Sequence, residues 1–576
     1  MNIYSILANA AISLVINTFR DMVAANLKEG DIADLNLRRL IVRELDDIRS
    51  KLVGLARKDL LTSISFFKEG IVILYETFEK AKRECAAQPV GTASLQSSIA
   101  AAGVKTVSIT KSLKNLRLSD LEEKEREALV VAKKRFEDAR RKATEAFSNE
   151  DLKPADRILA MKVRVMGTIL ENLDNPTIAL EACRVCLEEL HALPVIQKSF
   201  RAELTAGFKS RFSKDERIEF LTDVCRISRV IHDVTQLVGS DNKGFLILPC
   251  IDVEAQKIDP LRDARISRIL GAKGINFNLR WSFGQKGKEE QKLKSVKGIS
   301  TNSKEQFFVG DSWYEDHNVK VFDSDGDFVY SQFCGDEDGI TNVSGILDVA
   351  SDQDDNVYVL TNLENKSSWR EFCVVCVFGK QHRQRHRRFD LNNGFKGRAL
   401  TVEDNSGQIF VLGRYWRDYE NVNTVCVYDN NGNFIFNFVV QEMTCFVLDI
   451  AASKNCILVL TADSVHVYNV QGVLQQKWSK MPEKLGLTNG SCQIAKKFHS
   501  AGEHVFIVAN IGVSEDQNSV YCVSIFTKGG ELVYSIHLDL YSADITIAGI
   551  TVTKNGRIVI AYNSEADEHW GEILVL

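Results

Sequence analysis

One short phrase recurs along this chain. It reads NVKVFDSDGDFVYSQF from Asn318, TVCVYDNNGNFIFNF from Thr424, SVHVYNVQGVLQQKW from Ser464 and YCVSIFTKGGELVYS from Tyr521. Aligned on Gly326, Gly432, Gly472 and Gly530, the copies place Val319, Val425, Val465 and Val523 seven positions earlier. Phe322, Tyr428, Tyr468 and Phe526 stand four earlier, and Phe328, Phe434, Leu474 and Leu532 stand two later. Alternating apolar residues, a glycine and a second apolar run predict a β-hairpin whose tight turn needs a positive φ. A degenerate fifth copy, VVCVFGKQHRQ, keeps Val375, Val377 and Phe378 but has His382 at the glycine position.

A second phrase precedes each hairpin: EQFFVG, DNVYVL, GQIFVL, NCILVL, EHVFIV and GRIVIA. Upstream of most lies a further apolar strand, as in VKGIST, ILDVAS, RALTVE, VLDIAA and AGITVT. The sixth unit ends at GEILVL with no returning strand, while an orphan strand, GINFNLRWSFG, stands at Gly274–Gly284 before the first unit. Pairing the orphan with EILVL closes the sheets into a ring and leaves no exposed edge. The expected architecture is multidomain, α plus all-β. An N-terminal helical bundle precedes a six-bladed β-propeller over 274–576, with strand 274–284 completing the last blade.

The repeats resemble those of the NHL-repeat family. Blade one carries the resemblance best, with Asp311, Val319, Val321, Phe322, Asp323, Gly326 and Phe328 in the family's positions. Thr361, Gly413 and Thr461 fall near where the later blades would carry the family's Asp. The resemblance implies a propeller; it says little about ligand. Many such propellers belong to tripartite-motif ubiquitin ligases, whose RING and B-box need dense Cys and His pairs. Residues 1–270 hold no such run, so ligase activity does not carry over.

The front half reads as helical. Leu40, Val42, Leu45, Ile48, Leu52 and Leu55 recur at helical spacing in a proline-free stretch. The expected organisation is a bundle segment over 1–86, a small-residue linker over 87–118, stacked antiparallel helices over 119–240 and a connector over 241–273. Ser119 with Glu122 forms a capping box, Pro154, Asn175-Pro176 and Pro194 mark helix starts, and Ser213 is placed to cap another. Residues 3–19 are uncharged, with Ile6, Leu7, Ala10, Leu14 and Phe19 at helical spacing. Burial in the bundle is the expected use of that stripe; contact with a membrane is the rival, and a signal sequence lacks its basic leader.

Charge divides unevenly. Residues 1–270 carry 43 Lys+Arg against 39 Asp+Glu, and the rest carry 29 against 38. The acidic back half argues against a general nucleic-acid binder. The 13 cysteines are scattered singly, as expected of reduced thiols in a cytoplasmic protein.

Candidate chemistry is sparse. Cys183 and Cys186 share one helix face, and a zinc site would need two more ligands such as Cys225, His191 or His232; core cysteines are the expected reading. Cys373 and Cys376 have the same spacing in a strand, where they point to opposite faces. DSDGD at Asp323–Asp327 lacks the glutamate of a calcium loop and is read as a hairpin turn. The acidic residues Asp336, Glu337, Asp338, Asp352, Asp354 and Asp355 are expected in solvated loops, with a negative rim for a basic partner as the alternative. The densest basic run is KQHRQRHRRFD, with Lys380, Arg383, Arg385, Arg387 and Arg388 as candidate contacts to RNA or an acidic partner. Its structural role would be a solvated outer edge that discourages aggregation.

No phosphate loop, nucleophile elbow or HExxH motif occurs. The sequence therefore points to a non-catalytic adaptor without cofactor or metal. Its propeller face would bind a protein partner, and its helices would oligomerise or dock a second partner. The alternatives are RNA binding through 380–388, a membrane-acting helical domain regulated by the propeller, and a hydrolase or lyase at the central channel.

Overall fold

The computed structural model describes residues 57–87, 123–205, 211–238 and, with short gaps, 248–576, besides Val42, Leu45 and Asp46. The stripe over 3–19, the Ser119–Glu122 box and nearly all of the 87–118 linker lie outside these residues. The chain forms two compact units, one within 1–241, 248–255 and 269–277, the other within 242–247, 256–268 and 278–576.

The first unit is helical: α1 (Lys58–Ala87), α2 (Glu123–Ser148), α3 (Pro154–Glu171), α4 (Pro176–His191), α5 (Pro194–Leu204) and α6 (Lys214–Val238). Proline opens α3, α4 and α5, where its missing N–H costs nothing. Asn175 caps α4 by accepting from the Ile178 N–H. At the start of α6 the Ser213 hydroxyl accepts the Glu216 N–H at 3.2 Å and the Glu216 carboxylate accepts the Ser213 N–H at 2.9 Å, a reciprocal capping box. Sequential helices pack as neighbours around Phe67, Phe136, Ile169, Leu187 and Val224. The buried Lys162 pairs with Asp223 at 2.6 Å and ties α3 to α6. Among the described residues, no helix is long and apolar enough to cross a membrane.

The second unit is a six-bladed propeller. From the inside out, blade 1 comprises Val296–Thr301, Phe307–Trp313, Asp316–Phe322 and Phe328–Phe333. Blade 2 comprises Thr341–Ser351, Val357–Asn365, Glu371–Phe378 and Arg385–Asp390. Blade 3 follows with Phe395–Val402, Ile409–Arg417, Glu420–Tyr428 and Phe434–Val439, and blade 4 with Val447–Ser453, Cys456–Thr461, Val465–Asn469 and Leu474–Trp478. Blade 5 has Ala495–Ala501, His504–Val513, Ser519–Thr527 and Leu532–Leu538. Blade 6 has Ile545–Val552, Ile558–Ser564, Trp570–Val575 and, as its outermost strand, Trp281–Phe283.

The ring closes as the repeats require. Ile573 pairs with Phe283, Leu574 with Ser282 and Val575 with Trp281. The closing strand is shorter than the predicted Gly274–Gly284. Residues 274–277 belong to the helical unit, where the Arg226 guanidinium lies over the Phe277 ring at 5.6 Å and Arg229 donates to the Phe277 carbonyl. The predicted segment thus serves two units, and only its end carries the strand.

Apolar clusters fill the gaps between blades 1 and 2, 2 and 3, 3 and 4, 4 and 5, and 6 and 1. Blades 1 and 2 enclose Phe308, Val321, Val359 and Val374, and blades 2 and 3 enclose Leu360, Val375, Val411 and Tyr428. Cys376 belongs to the first cluster and Cys373 to the second, so their side chains do leave the strand on opposite faces.

The four turn glycines have φ between +79° and +84°. Each also meets an aromatic ring on the outermost strand of the preceding blade. A Cβ on Gly326 would stand 2.7 Å from Phe283, one on Gly472 2.6 Å from Phe438 and one on Gly530 2.8 Å from Trp478. Gly432 lies against Phe389 in the same way. The same four rings pack on Phe322, Tyr468, Phe526 and Tyr428, at centroid distances of 5.1, 4.9, 6.3 and 5.3 Å respectively. Turn and blade packing are one device.

The turns also use a repeated side-chain bond. Asp323 accepts the N–H groups of Asp325 and Asp327, Asp429 those of Asn431 and Asn433, and Asn469 those of Gln471 and Val473. The DSDGD carboxylate is thereby engaged by its own backbone. Asp352 and Asp355 depart from the solvated loop expected of them. Asp352 caps its turn through the Asp354 and Asn356 N–H groups. Asp355 is buried, accepting the Ser303 N–H at 2.7 Å and the Ser303 hydroxyl at 2.5 Å from the preceding blade. Asp336, Glu337 and Asp338 lie outside the described residues.

Candidate functional site

The propeller has two faces. Links between second and third strands, and links leading from one blade to the next, emerge on one of them, termed here the upper face. Turns between first and second and between third and fourth strands emerge below. The upper face holds a cavity of about 700 Å³ between blades 2 and 3, a size suited to a small ligand or a few residues of peptide.

Its walls are strand ends, which gives them a rigid backbone. Three cations line it: Lys396 and Arg398 on the innermost strand of blade 3 and Arg414 on the next. Five asparagines join them, Asn362, Asn392, Asn393, Asn421 and Asn423. Phe372, Leu391, Phe395, Leu412 and Val447 form the apolar part, and among the described residues Glu371 is the one acid in the lining. Among the described residues, none of the three cations has an ion-pair partner.

Arg398 owes its position to a β-bulge. Gly397 pairs with Gly413 and Ala399 with Leu412, so Arg398 falls outside the ladder. Arg398 faces the water of the cavity while protein surrounds it. That partial burial lowers its pKa, an effect Asp449 opposes and Arg414 reinforces.

The same bulge occurs in every blade. It leaves out Lys297 in blade 1, Leu347 in blade 2, Arg398 in blade 3, Leu448 in blade 4, Lys496 in blade 5 and Ala548 in blade 6. Cations and apolar residues alternate around the ring. In blades 2, 4 and 6 the bulged residue packs into an inter-blade cluster. The sequence reading missed this pattern. Its trace is the spacing of about fifty residues between these positions.

Among the described residues that line the cavity Cys373 is the one thiol, and burial pushes it up to about 12, so it stays protonated. In the helical unit Cys183 and Cys186 are buried too, the first pushed well up and the second up to about 11 by burial. Cys225 and His191 are also buried, and the His232 ring lies beside Asp233 at 3.5 Å. No group of three or more His, Cys, Asp or Glu with metal-site geometry occurs among the described residues.

The basic run is divided. Lys380 and Arg383 lie outside the described residues, and Arg385 begins the outermost strand of blade 2. Arg387 is engaged by the fold: its guanidinium donates to the Asn431 side-chain oxygen in the Gly432 turn at 3.5 Å. Arg388 lies 3.9 Å from Asp390. Among the described residues of the run, Arg387 and Arg388 both have partners, and neither lines the cavity.

A buried ion pair also escaped the sequence reading. Lys320 and Asp311, with side chains 1% and 2% exposed, pair at 2.8 Å in blade 1. Asp311 accepts the N–H groups of Lys294 and Ser295, and Lys320 donates to the Lys292 carbonyl at 2.5 Å. The pair fastens the chain entering the blade.

No family model matches the chain, and no curated protein matches it. Among solved structures it is similar to the Pan2 WD40 domain of Neurospora crassa, with 10% identity over 49% of this chain and 89% of that one and a TM-score of 0.33. It is also similar to the Dos1 propeller, at 9% identity over 49% of this chain and 78% of that one, TM-score 0.31. Hydrazine synthase of Kuenenia stuttgartiensis is similar at 12% identity over 47% and 77%, TM-score 0.32.

Proposed function

We propose that this protein is a non-catalytic adaptor whose propeller grips a partner protein on its upper face. The observation that carries this reading is the cavity between blades 2 and 3. It offers charge, amide groups and apolar surface on rigid strand ends, and its described lining pairs no nucleophile with a base. A propeller sets loops from several blades side by side, which suits recognition of another protein. The blade-one signature, including Asp311 and Gly326, supports kinship with NHL-type propellers, and thirteen scattered cysteines support a reducing compartment. The helical unit would supply oligomerisation or a second docking surface.

The test is affinity capture from native cells with the full chain and two variants. Asn392→Asp/Asn393→Asp alters the upper face; Asn431→Asp/Gln471→Glu alters the lower turns. Partners lost with the first pair and kept with the second support the reading. Partners lost only with the second pair, or with neither, place the contact elsewhere.

A further inference from the structure

We propose that the cavity between blades 2 and 3 is a receptor for an extended acidic peptide segment, with Arg398 and Arg414 holding its carboxylates. The proposal names the partner chemistry of the adaptor reading and rests on it.

Three observations carry it. The first is charge. Among the described residues, Lys396, Arg398 and Arg414 meet at one cavity with Glu371 as the one acid in its lining and Asp449 acting on Arg398 from outside it, in a half of the chain that is acidic overall. Clustered cations without ion-pair partners among the described residues repel one another, and an anionic guest relieves that repulsion. A guanidinium also matches a carboxylate in planar geometry.

The second is the asparagines. Each carries an acceptor and two donors, the complement of a peptide N–H and C=O. Five around one cavity supply main-chain recognition that a point-like anion would leave unused. The apolar residues Phe372, Phe395 and Leu412 then take alternate side chains of an extended segment, which projects its residues to opposite sides.

The third is the placement of Arg398. In blades 2, 4 and 6 the bulged residue packs into apolar clusters, whereas the blade 3 bulge delivers a guanidinium to the cavity. Arg398 is exposed to the cavity water. A ligand carboxylate pairs with its guanidinium there without displacing a protein partner.

The experiment uses the full chain and fluorescence anisotropy. Three labelled ten-residue peptides alternate Leu with Glu, with Gln or with Lys. The Glu peptide should bind about tenfold tighter than the Gln peptide, and the Lys peptide should not bind. Arg398→Glu/Arg414→Glu should weaken the Glu peptide by tenfold or about more while leaving the melting temperature unchanged, because both side chains face cavity water. A second variant, Asn421→Ala/Asn423→Ala, should weaken the Glu and Gln peptides by the same factor, as loss of main-chain contacts requires. Equal affinity for Glu and Gln peptides overturns the proposal, as does undiminished binding by the arginine variant. Inorganic phosphate alone is the remaining arm. If it stabilises the wild type through Arg398 while no peptide binds, the site is for a small anion and the peptide receptor is overturned. These failures leave the adaptor reading standing if capture still depends on Asn392 and Asn393; loss of that dependence fails the adaptor reading itself.

Discussion

Gly472 turns its bare Cα toward the ring of Phe438, so close that a Cβ there would stand 2.6 Å from the ring. The φ of +79° disfavours a side chain at this position, and the ring forbids one. Gly432 stands in the same relation to Phe389. Gly432→Ala should therefore cost both backbone strain, about 1–3 kcal/mol, and overpacking of similar size. Phe389→Leu in the same chain should recover part of the second cost and none of the first. Urea melts of the single and double variants measure the coupling; strict additivity would mean that ring and turn do not touch.

The Lys320–Asp311 pair makes a sharper prediction. Lys320→Met leaves a buried carboxylate with its backbone donors but no counter-charge, and should cost about 3–5 kcal/mol. Asp311→Leu strands the ammonium and two backbone N–H groups, and should cost at least as much. Chemical denaturation reads both. A loss well under 1 kcal/mol for Lys320→Met would show the site to be open to water.

Closure of the ring depends on Phe283. Its ring packs on Phe307 at 5.0 Å and on Phe322 at 5.1 Å, and its backbone pairs with Ile573. Phe283→Asp should release the outermost strand of blade 6 and expose the third. Limited proteolysis of the full chain should then give early cuts near residues 281–283 and 570–575. A digestion pattern identical to the wild type would refute closure by this strand.

His499, on the innermost strand of blade 5, supplies a pH dependence. Burial pushes its pKa down from 6.5 to about 4. The unfolded chain binds the proton more readily, so His499 withdraws stability as pH falls from about 6.5 towards about 4 and has no effect above that window. His499→Gln should flatten this part of the stability–pH curve. Thermal melts at pH 7 and pH 5 test it: an equal drop in both proteins would assign the acid sensitivity to other groups.

The sequence by itself determined the propeller and its number of blades. Valine alternation, the glycine at four of the turns and the orphan strand are local signals, because a strand has a period of two and a tight turn needs a positive φ wherever it occurs. Proline and capping residues set the helix starts of the first unit on the same local basis. Tertiary structure decided the rest. The sequence does not say that Gly326 faces Phe283 or that Asp355 is buried against Ser303, because each contact joins two blades brought together only by packing; nor does it say that Lys320 meets Asp311, which depends on the cross-strand register within blade 1 and on the burial of both side chains. It also singled out the basic run at 380–388 as a candidate contact for RNA or an acidic partner. Among the described residues Arg387 of that run is engaged by Asn431, and the cations that share a cavity are Lys396, Arg398 and Arg414. Linear density of charge reports neighbours along the chain; a bulge and the meeting of two blades decide which cations point into one space.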